Sequence, residues 1–294
     1  MLLAQNTTTK IKPMPSTLSP DAKVLSPHGD SGGYQLTVAP NGARRTRADH
    51  PALPMTADEL AQTARACQIA GATGIHLHVR DGAGVHSLDP GRYREAIAAI
   101  TERAPGMRIQ ITTEAAGLYD VDTQLACLDQ LRPAAASVSV REMARDPALA
   151  AQLYALADEA STQVQHILYD PSCVAQYQDW RAKGVIRPSQ DDVIFVLGQY
   201  APPVAAKPSD LSPFLTALDP APGSWTTCAF GRTEIACLLA TIERGGHVRI
   251  GFENNLVTAA GKVLPDNAAS VRALVAAASA QGHHPATFPP DLAA

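Results

Sequence analysis

The sequence predicts a single-domain (β/α)8 TIM barrel with an N-terminal extension, and three observations carry that reading. Segments with the period of strands and segments with the period of helices alternate about eight times, with short links. Several strand segments are nearly all apolar or β-branched, as in Val193-Ile194-Phe195-Val196-Leu197, the composition of a strand covered by helices. No Gly-x-Gly-x-x-Gly follows the first strand, which weakens the dinucleotide-binding version of the alternative, a doubly wound open sheet. A count of eight selects the barrel.

In chain order, residues 1–33 are rich in Pro, Ser, Thr and Gly without a sustained period, and read as an extension that drapes over the surface or stays mobile. Residues 34–294 are the barrel. Its first strand, 34–39, closes at Pro40-Asn41-Gly42, and a polar loop follows with Arg44, Arg45, Arg47, Asp49 and His50. Thr56-x-x-Glu59 has capping-box spacing, and Leu60, Ala64 and Cys67 continue the apolar face of a helix over 57–70. The stretch Gly74-Ile75-His76-Leu77-His78-Val79-Arg80-Asp81 then alternates polar with apolar. A strand over 74–79 therefore sends His76, His78 and Arg80 to one face. Further strands are expected over 107–112, 135–140, 163–168, 192–197, 224–229 and 247–251. Helices are expected over 91–103, 121–131, 147–160, 172–183, 208–217, 232–243 and 267–281.

Composition narrows the function. A net charge of −4, with no basic run longer than Arg44-Arg45, gives no electrostatic case for nucleic acid or an acidic membrane surface. Apolar runs fall well short of a membrane span. Five widely spaced cysteines, set among Ala, Leu and Ile, fit buried thiols in a reducing compartment rather than a disulfide framework. With no secretory apolar core at the start, a cytoplasmic protein is expected.

Active sites of such barrels gather at the C-terminal strand ends. The polar residues there are Asn41 and Arg44, then His76, His78, Arg80 and Asp81, then Thr112, Thr113 and Glu114, then Ser137, Ser139, Arg141 and Glu142, and finally Arg249, Glu253, Asn254 and Asn255. Histidines two apart on one strand face have Cα atoms roughly 6–7 Å apart, close enough to share an ion. His76, His78 and Glu253 together would leave coordination positions open, as a catalytic metal does. Zinc is the first choice, and Fe(II) or another divalent ion stays open. Glu253 also reads as a loop carboxylate paired with Arg249 or Arg80. Arg44, Arg80 and Arg249 at one mouth suit an anionic substrate. The hydroxyls of Thr112, Thr113, Ser137 and Ser139 face substrate or satisfy local backbone.

On these residues the sequence resembles the β-keto acid cleavage enzymes, whose founding activity is 3-keto-5-aminohexanoate cleavage. The matches are His76-Leu77-His78-Val79-Arg80-Asp81, Asn41-Gly42-Ala43, His50-Pro51-Ala52-Leu53-Pro54 and Ile109-Gln110-Ile111-Thr112-Thr113. Further on come Phe195-Val196-Leu197-Gly198, Trp225 with Gly231-Arg232, and Gly245-Gly246-His247-Val248-Arg249-Ile250-Gly251-Phe252-Glu253-Asn254-Asn255. The resemblance implies a zinc-bearing barrel that condenses a β-keto acid with acetyl-CoA to give acetoacetate and an acyl-CoA. It casts His76, His78 and Glu253 as ligands, Arg249 as the catalytic arginine, and Thr112 and Ser137 as hydroxyls by the reacting carbons. Assembly into a dimer or tetramer is expected of such a barrel.

Two departures stand out. The family's Glu-Asp-Asn is Glu253-Asn254-Asn255 here, so the position of the usual base carries an amide that accepts no proton at neutral pH. Glu114 follows Thr112-Thr113 where the aminohexanoate-cleaving enzyme has glycine, and is the candidate replacement. Arg44 stands where that enzyme has a glutamate facing the substrate's ammonium group, which points to a neutral or anionic β-keto acid instead. Two other readings remain at this stage: a metal-dependent hydrolase or aldolase, and a non-catalytic keto-acid-binding relative.

Overall fold

The six α-helices of more than ten residues among the described residues each begin at a side chain that the sequence places there for capping. Thr56, Asp89, Asp120, Asp146, Asp170 and Asp266 each accept a hydrogen bond from a backbone N–H in the first turn that follows. Each such cap contributes about 1 kcal/mol. At Thr56 the expected capping box is complete, since Glu59 also accepts from the Thr56 N–H. Three of these helices also start on a proline, whose missing N–H costs nothing in the first turn.

This computed structural model describes residues 33–218 and 223–287. The expected extension therefore lies outside the described residues, apart from Gly33. The elements are β1 (Leu36–Val38), α1 (Ala57–Ile69), β2 (Gly74–Leu77), β3 (Val79–Arg80), β4 (His86–Ser87), α2 (Pro90–Arg103), β5 (Arg108–Thr112) and α3 (Val121–Leu131). Then come β6 (Ala135–Ser139), α4 (Val140–Met143), α5 (Pro147–Glu159), β7 (Gln163–Leu168), α6 (Pro171–Ala182), β8 (Asp192–Leu197), α7 (Ser212–Ala217), β9 (Ser224–Ala229), α8 (Glu234–Ile242), β10 (His247–Ile250) and α9 (Asn267–Ser279).

Eight parallel strands close into a barrel in the order β1-β10-β9-β8-β7-β6-β5-β2, so the expected (β/α)8 barrel is observed among the described residues. Closure runs through β1, where Val38 registers with Ile250 on one side and Ile75 on the other. Alternation divides the strand residues. Those facing outward (Leu36, Ile75, Ile111, Val138, Phe195, Val248) join Leu60, Tyr93, Leu153 and Leu238 of the helices in one large core. Inside the barrel a smaller cluster of Ile167, Ile194, Val196 and Cys228 shares the space with polar side chains.

The sequence reading departs from the structure in three places. The strand expected over 74–79 ends at Leu77, and Val79-Arg80 instead pairs antiparallel with His86-Ser87. The intervening turn is held by Asp81, whose carboxylate accepts from the N–H groups of Ala83 and Val85. The helix expected over 208–217 is a 3-10 turn over Pro208–Leu211 followed by α7. A four-residue helix, α4, follows β6 directly, capped by Ser139.

Candidate active site at the mouth of the barrel

His76 lies within β2 and His78 immediately beyond its end, while Glu253 lies in the turn that leaves β10. Two glycines let these segments meet. Gly251 has φ +145, and a Cβ there would run into the Ala39 carbonyl. Gly42 has φ +63, and a Cβ there would stand 2.6 Å from Cγ of Glu253. The Glu253 N–H donates to Ala39 O at 3.1 Å, so the β1 and β10 loops form one packed support. Asn41 joins the third segment, donating to the carbonyls of His78 (3.2 Å) and Pro54 (3.0 Å).

The three side chains converge. Nε2 of His76 and Nε2 of His78 are 3.1 Å apart, and the Glu253 oxygens lie 3.9 Å and 3.7 Å from them. Among the described residues this is the group of metal-ligating type whose ligand atoms all fall within 4.8 Å of one another. Its protonation suits a cation. Burial, with Arg249 nearby, depresses His76 well below its ordinary value and so keeps it neutral. Burial alone would raise the Glu253 carboxyl, but Arg249, His78 and His76 outweigh it and hold it well below the usual carboxylate range. Oε2 of Glu253 is buried without a hydrogen-bond partner. Two imidazoles, one of them held neutral by burial, and an ionised carboxylate with an unsatisfied oxygen fit a divalent ion.

Around this trio stand the other charged groups. Glu114 follows β5, with Oε2 3.9 Å from Nε2 of His78. Its backbone is pinned at both ends, the N–H by Thr112 Oγ1 at 3.0 Å and the carbonyl by His86 Nε2 at 2.9 Å. Burial raises its carboxyl above the ordinary range, His78 opposes that rise and Glu253 adds to it. Arg249 is buried, with Nη2 3.4 Å from Cys228 Sγ and 3.8 Å from Glu253, while its Nε and Nη1 have no partner. Asn254 is 1% exposed, and neither atom of its amide is satisfied.

A cavity of about 590 Å³ opens at this end of the barrel. Of the residues expected at the site, Asn41, Arg44, His76, Thr112, Glu114, Arg249 and Glu253 line it. His78, Ser137 and Asn254 sit behind the wall, and the Ser137 hydroxyl donates to Thr112 Oγ1 at 3.4 Å. Three expected substrate contacts are occupied elsewhere. Arg80, turned away by the β3–β4 hairpin, spends its guanidinium on the carbonyls of Gly42, Ala43 and Arg45 and lies in the wall of a separate cavity against α1 and α2. The Thr113 hydroxyl donates to Ser137 O, and Ser139 Oγ accepts the Glu142 N–H as the cap of α4. Arg141 and Glu142, expected at the end of the fourth barrel strand, also line the cavity at the mouth, and the residues the sequence reading left out of the site are Gln110 and Tyr169. A polar residue at an inward position of Arg108-Ile109-Gln110-Ile111-Thr112 was the available signal for the first.

A model of the beta-keto acid cleavage enzyme family matches residues 34–290. The chain belongs to that family. It is 30% identical over 268 residues to the 3-keto-5-aminohexanoate cleavage enzyme of Fusobacterium nucleatum, covering 88% of this chain and 95% of that protein. It is 27% identical over 264 residues to the 3-oxoadipate:acetyl-CoA acetyltransferase of Cupriavidus necator, covering 86% of this chain and 90% of that one. The apo structure of ObcA shares the fold with a TM-score of 0.62 at 13% identity, over 81% of this chain and 64% of ObcA. Membership makes this a C–C-cleaving enzyme, consistent with the barrel and with chemistry gathered at its mouth. Among the described residues no helix is long and apolar enough to cross a membrane.

Proposed function

We propose that this protein condenses a β-keto acid with acetyl-CoA, giving acetoacetate and a new acyl-CoA, in the cavity that Arg249, Glu114 and the His76–His78–Glu253 trio share. That convergence on one opening carries the reading. A divalent ion held by His76, His78 and Glu253, zinc first and Fe(II) or another as alternatives, would supply Lewis acidity toward a keto oxygen.

The chain's own groups do the rest. Glu114 takes the proton from the carbon between the two carbonyls of the keto acid. The carbon so freed bonds to the thioester carbonyl of acetyl-CoA, and CoA leaves as thiolate. The thiolate then adds to the original keto carbon, the old C–C bond breaks, and acetoacetate leaves with the proton that Glu114 returns. Arg249 offers its unpartnered N–H groups to the carboxylate and to charge building on oxygen, inside a buried setting where such donors act strongly. Asn254 serves as an amide donor or acceptor in place of a base. Thr112 and Asn41 give the wall polar contacts for orientation.

The far end of the substrate is neutral or anionic rather than ammonium-bearing. Arg44 supports this, since it lines the cavity and its charge reaches Glu114, although its side chain is exposed at the rim. The Cupriavidus relative is named for a β-keto diacid.

The test is acetoacetate formation by metal-loaded enzyme across neutral, cationic and anionic β-keto acids, repeated with Glu114→Gln. Turnover that needs acetyl-CoA, and falls at least about 100-fold in kcat with Glu114→Gln, is expected. Metal bound but no acetoacetate from any acid would overturn the transferase reading. Turnover intact in the variant would remove Glu114 as the base.

A further inference from the structure

Most arginines among the described residues are spent on a partner. Arg47 pairs with Glu59, Arg103 with Asp58, Arg132 with Asp129 and Glu159, and Arg272 with Asp266. Arg44, Arg141 and Arg232 make no hydrogen bond or ion pair among those residues, and the first two line the same cavity.

Arg141 is not loose for lack of a partner. Its guanidinium lies over the ring of Tyr169, 4.0 Å from the centroid, so stacking fixes its plane while leaving the N–H fork unspent. The acids that share the cavity wall are engaged elsewhere. Glu142 Oε2 accepts from Ala115 N at 2.9 Å and Gln124 Nε2 at 2.8 Å, Asp170 caps α6, Glu114 Oε2 faces His78 Nε2 at 3.9 Å, and Glu253 faces the histidines and Arg249. Tyr169, Arg141 and Arg249 line the same cavity. One of these arginines is buried beside the metal-ligating trio, and the other is exposed at the rim. A substrate held at its reacting end by Arg249 therefore extends toward Arg141.

We infer that Arg141, stacked on Tyr169 and assisted by Arg44, is a specificity-determining residue that takes the far carboxylate of a β-keto diacid. This deepens the transferase reading and rests on it for the identity of the keto acid. A planar fork matches a carboxylate with two parallel hydrogen bonds, which a neutral chain end cannot return. The phosphates of CoA offer the same anionic chemistry, so the experiment separates the two sources.

The pair to compare is 3-oxoadipate and 3-oxohexanoate, equal in chain length and differing by the terminal carboxylate. The first readout is calorimetric binding without acetyl-CoA, using wild type, Arg141→Ala and Arg141→Lys. The second is kcat/KM for each acid and KM for acetyl-CoA. Wild type should bind the diacid at least 10-fold more tightly, Arg141→Ala should erase most of that preference, and Arg141→Lys should recover only part. The kcat/KM ratio of diacid to neutral acid should fall in parallel. Equal binding of both acids by wild type overturns the inference. So does an Arg141→Ala defect confined to the KM of acetyl-CoA, which would place the arginine on a phosphate. Diacid preference in binding without any acetoacetate formed would instead sink the transferase reading and leave the diacid subsite standing.

Discussion

His76 donates its Nδ1 proton to Oε1 of Gln110 at 2.8 Å, which leaves Nε2 as the free lone pair directed toward His78 and Glu253. The tautomer follows from the partner, because the Gln110 side chain presents its carbonyl there while its amide nitrogen donates to Gln165 Oε1 at 3.3 Å. Gln165 in turn donates to Asp192 Oδ2 and Thr226 Oγ1, each at 3.2 Å. A polar layer across the barrel interior thus orients the His76 imidazole from below.

Cutting that layer at its first link should weaken metal binding without touching a ligand. Gln110→Leu keeps the bulk but removes the acceptor, freeing His76 to rotate or to take the other tautomer. A loss of roughly 10- to 100-fold in metal affinity is expected. Competition with a chelator of known affinity measures it. Unchanged affinity would show that the Gln110 contact does not set the imidazole.

Asn254 and Glu114 should be able to trade places as the proton acceptor. Asn254 is buried with an unsatisfied amide next to Glu253 in the chain, and Glu114 Oε2 lies 3.9 Å from Nε2 of His78. If Glu114 is the base, Asn254→Asp placed on a Glu114→Gln background should recover at least about 10-fold of the lost kcat, since general-base catalysis supplies roughly 100-fold or more. Asn254→Asp alone should change kcat less than Glu114→Gln does. No recovery in the double variant would mean that position 254 has lost its line to the reacting carbon.

The barrel was legible because its signals are local: the caps at Thr56 and the aspartates, the period of two in the strands, and the regular alternation of elements. The convergence of His76, His78 and Glu253 was legible for a related reason, since the strand ends of a barrel meet by topology. Arg80 shows where this stops. Alternation continued on paper through Val79, but a hairpin two residues past the strand end turned Arg80 out to clamp three carbonyls. Side-chain destinations after a strand end depend on turn geometry, and the turn at Asp81 to Gly84 carries no periodicity to read. Ser139 was likewise placed by strand alternation with Ser137, whereas its hydroxyl caps a four-residue helix that has too few turns to announce itself. Arg141 and Tyr169 come together from two different strand ends, a pairing that only the folded chain displays.

Glu234 makes stability pH-dependent through the same loop that carries Glu253. It is buried in α8, with Oε2 accepting from Asn255 Nδ2 at 3.1 Å and Oε1 unsatisfied. Burial pushes its carboxyl up to about 8, against the hydrogen bonds from Asn255 and the Gly251 N–H and the nearby charge of Arg45. In the unfolded chain the same group titrates near its model value of 4.5. Between those two values the unfolded state releases a proton that the folded state keeps, so folding binds a proton and stability falls as pH rises through that window. The slope is at most about 1.4 kcal/mol per pH unit for one such group. Asp192, raised by burial to about 7, adds in the same direction over the lower part of the window. Burial holds His76, His86 and His166 below their ordinary value, so below about pH 6.5 they act in the opposite sense. Thermal unfolding in excess chelator, which removes metal loading from the comparison, should therefore show its decline in melting temperature from about pH 7 to pH 8.5. Glu234→Gln keeps the contact with Asn255 and cannot ionise, so its decline over that range should be visibly shallower. A Glu234→Gln profile that parallels wild type across the whole range would mean that Glu234 is ionised in the folded protein throughout, held so by Arg45 and Asn255.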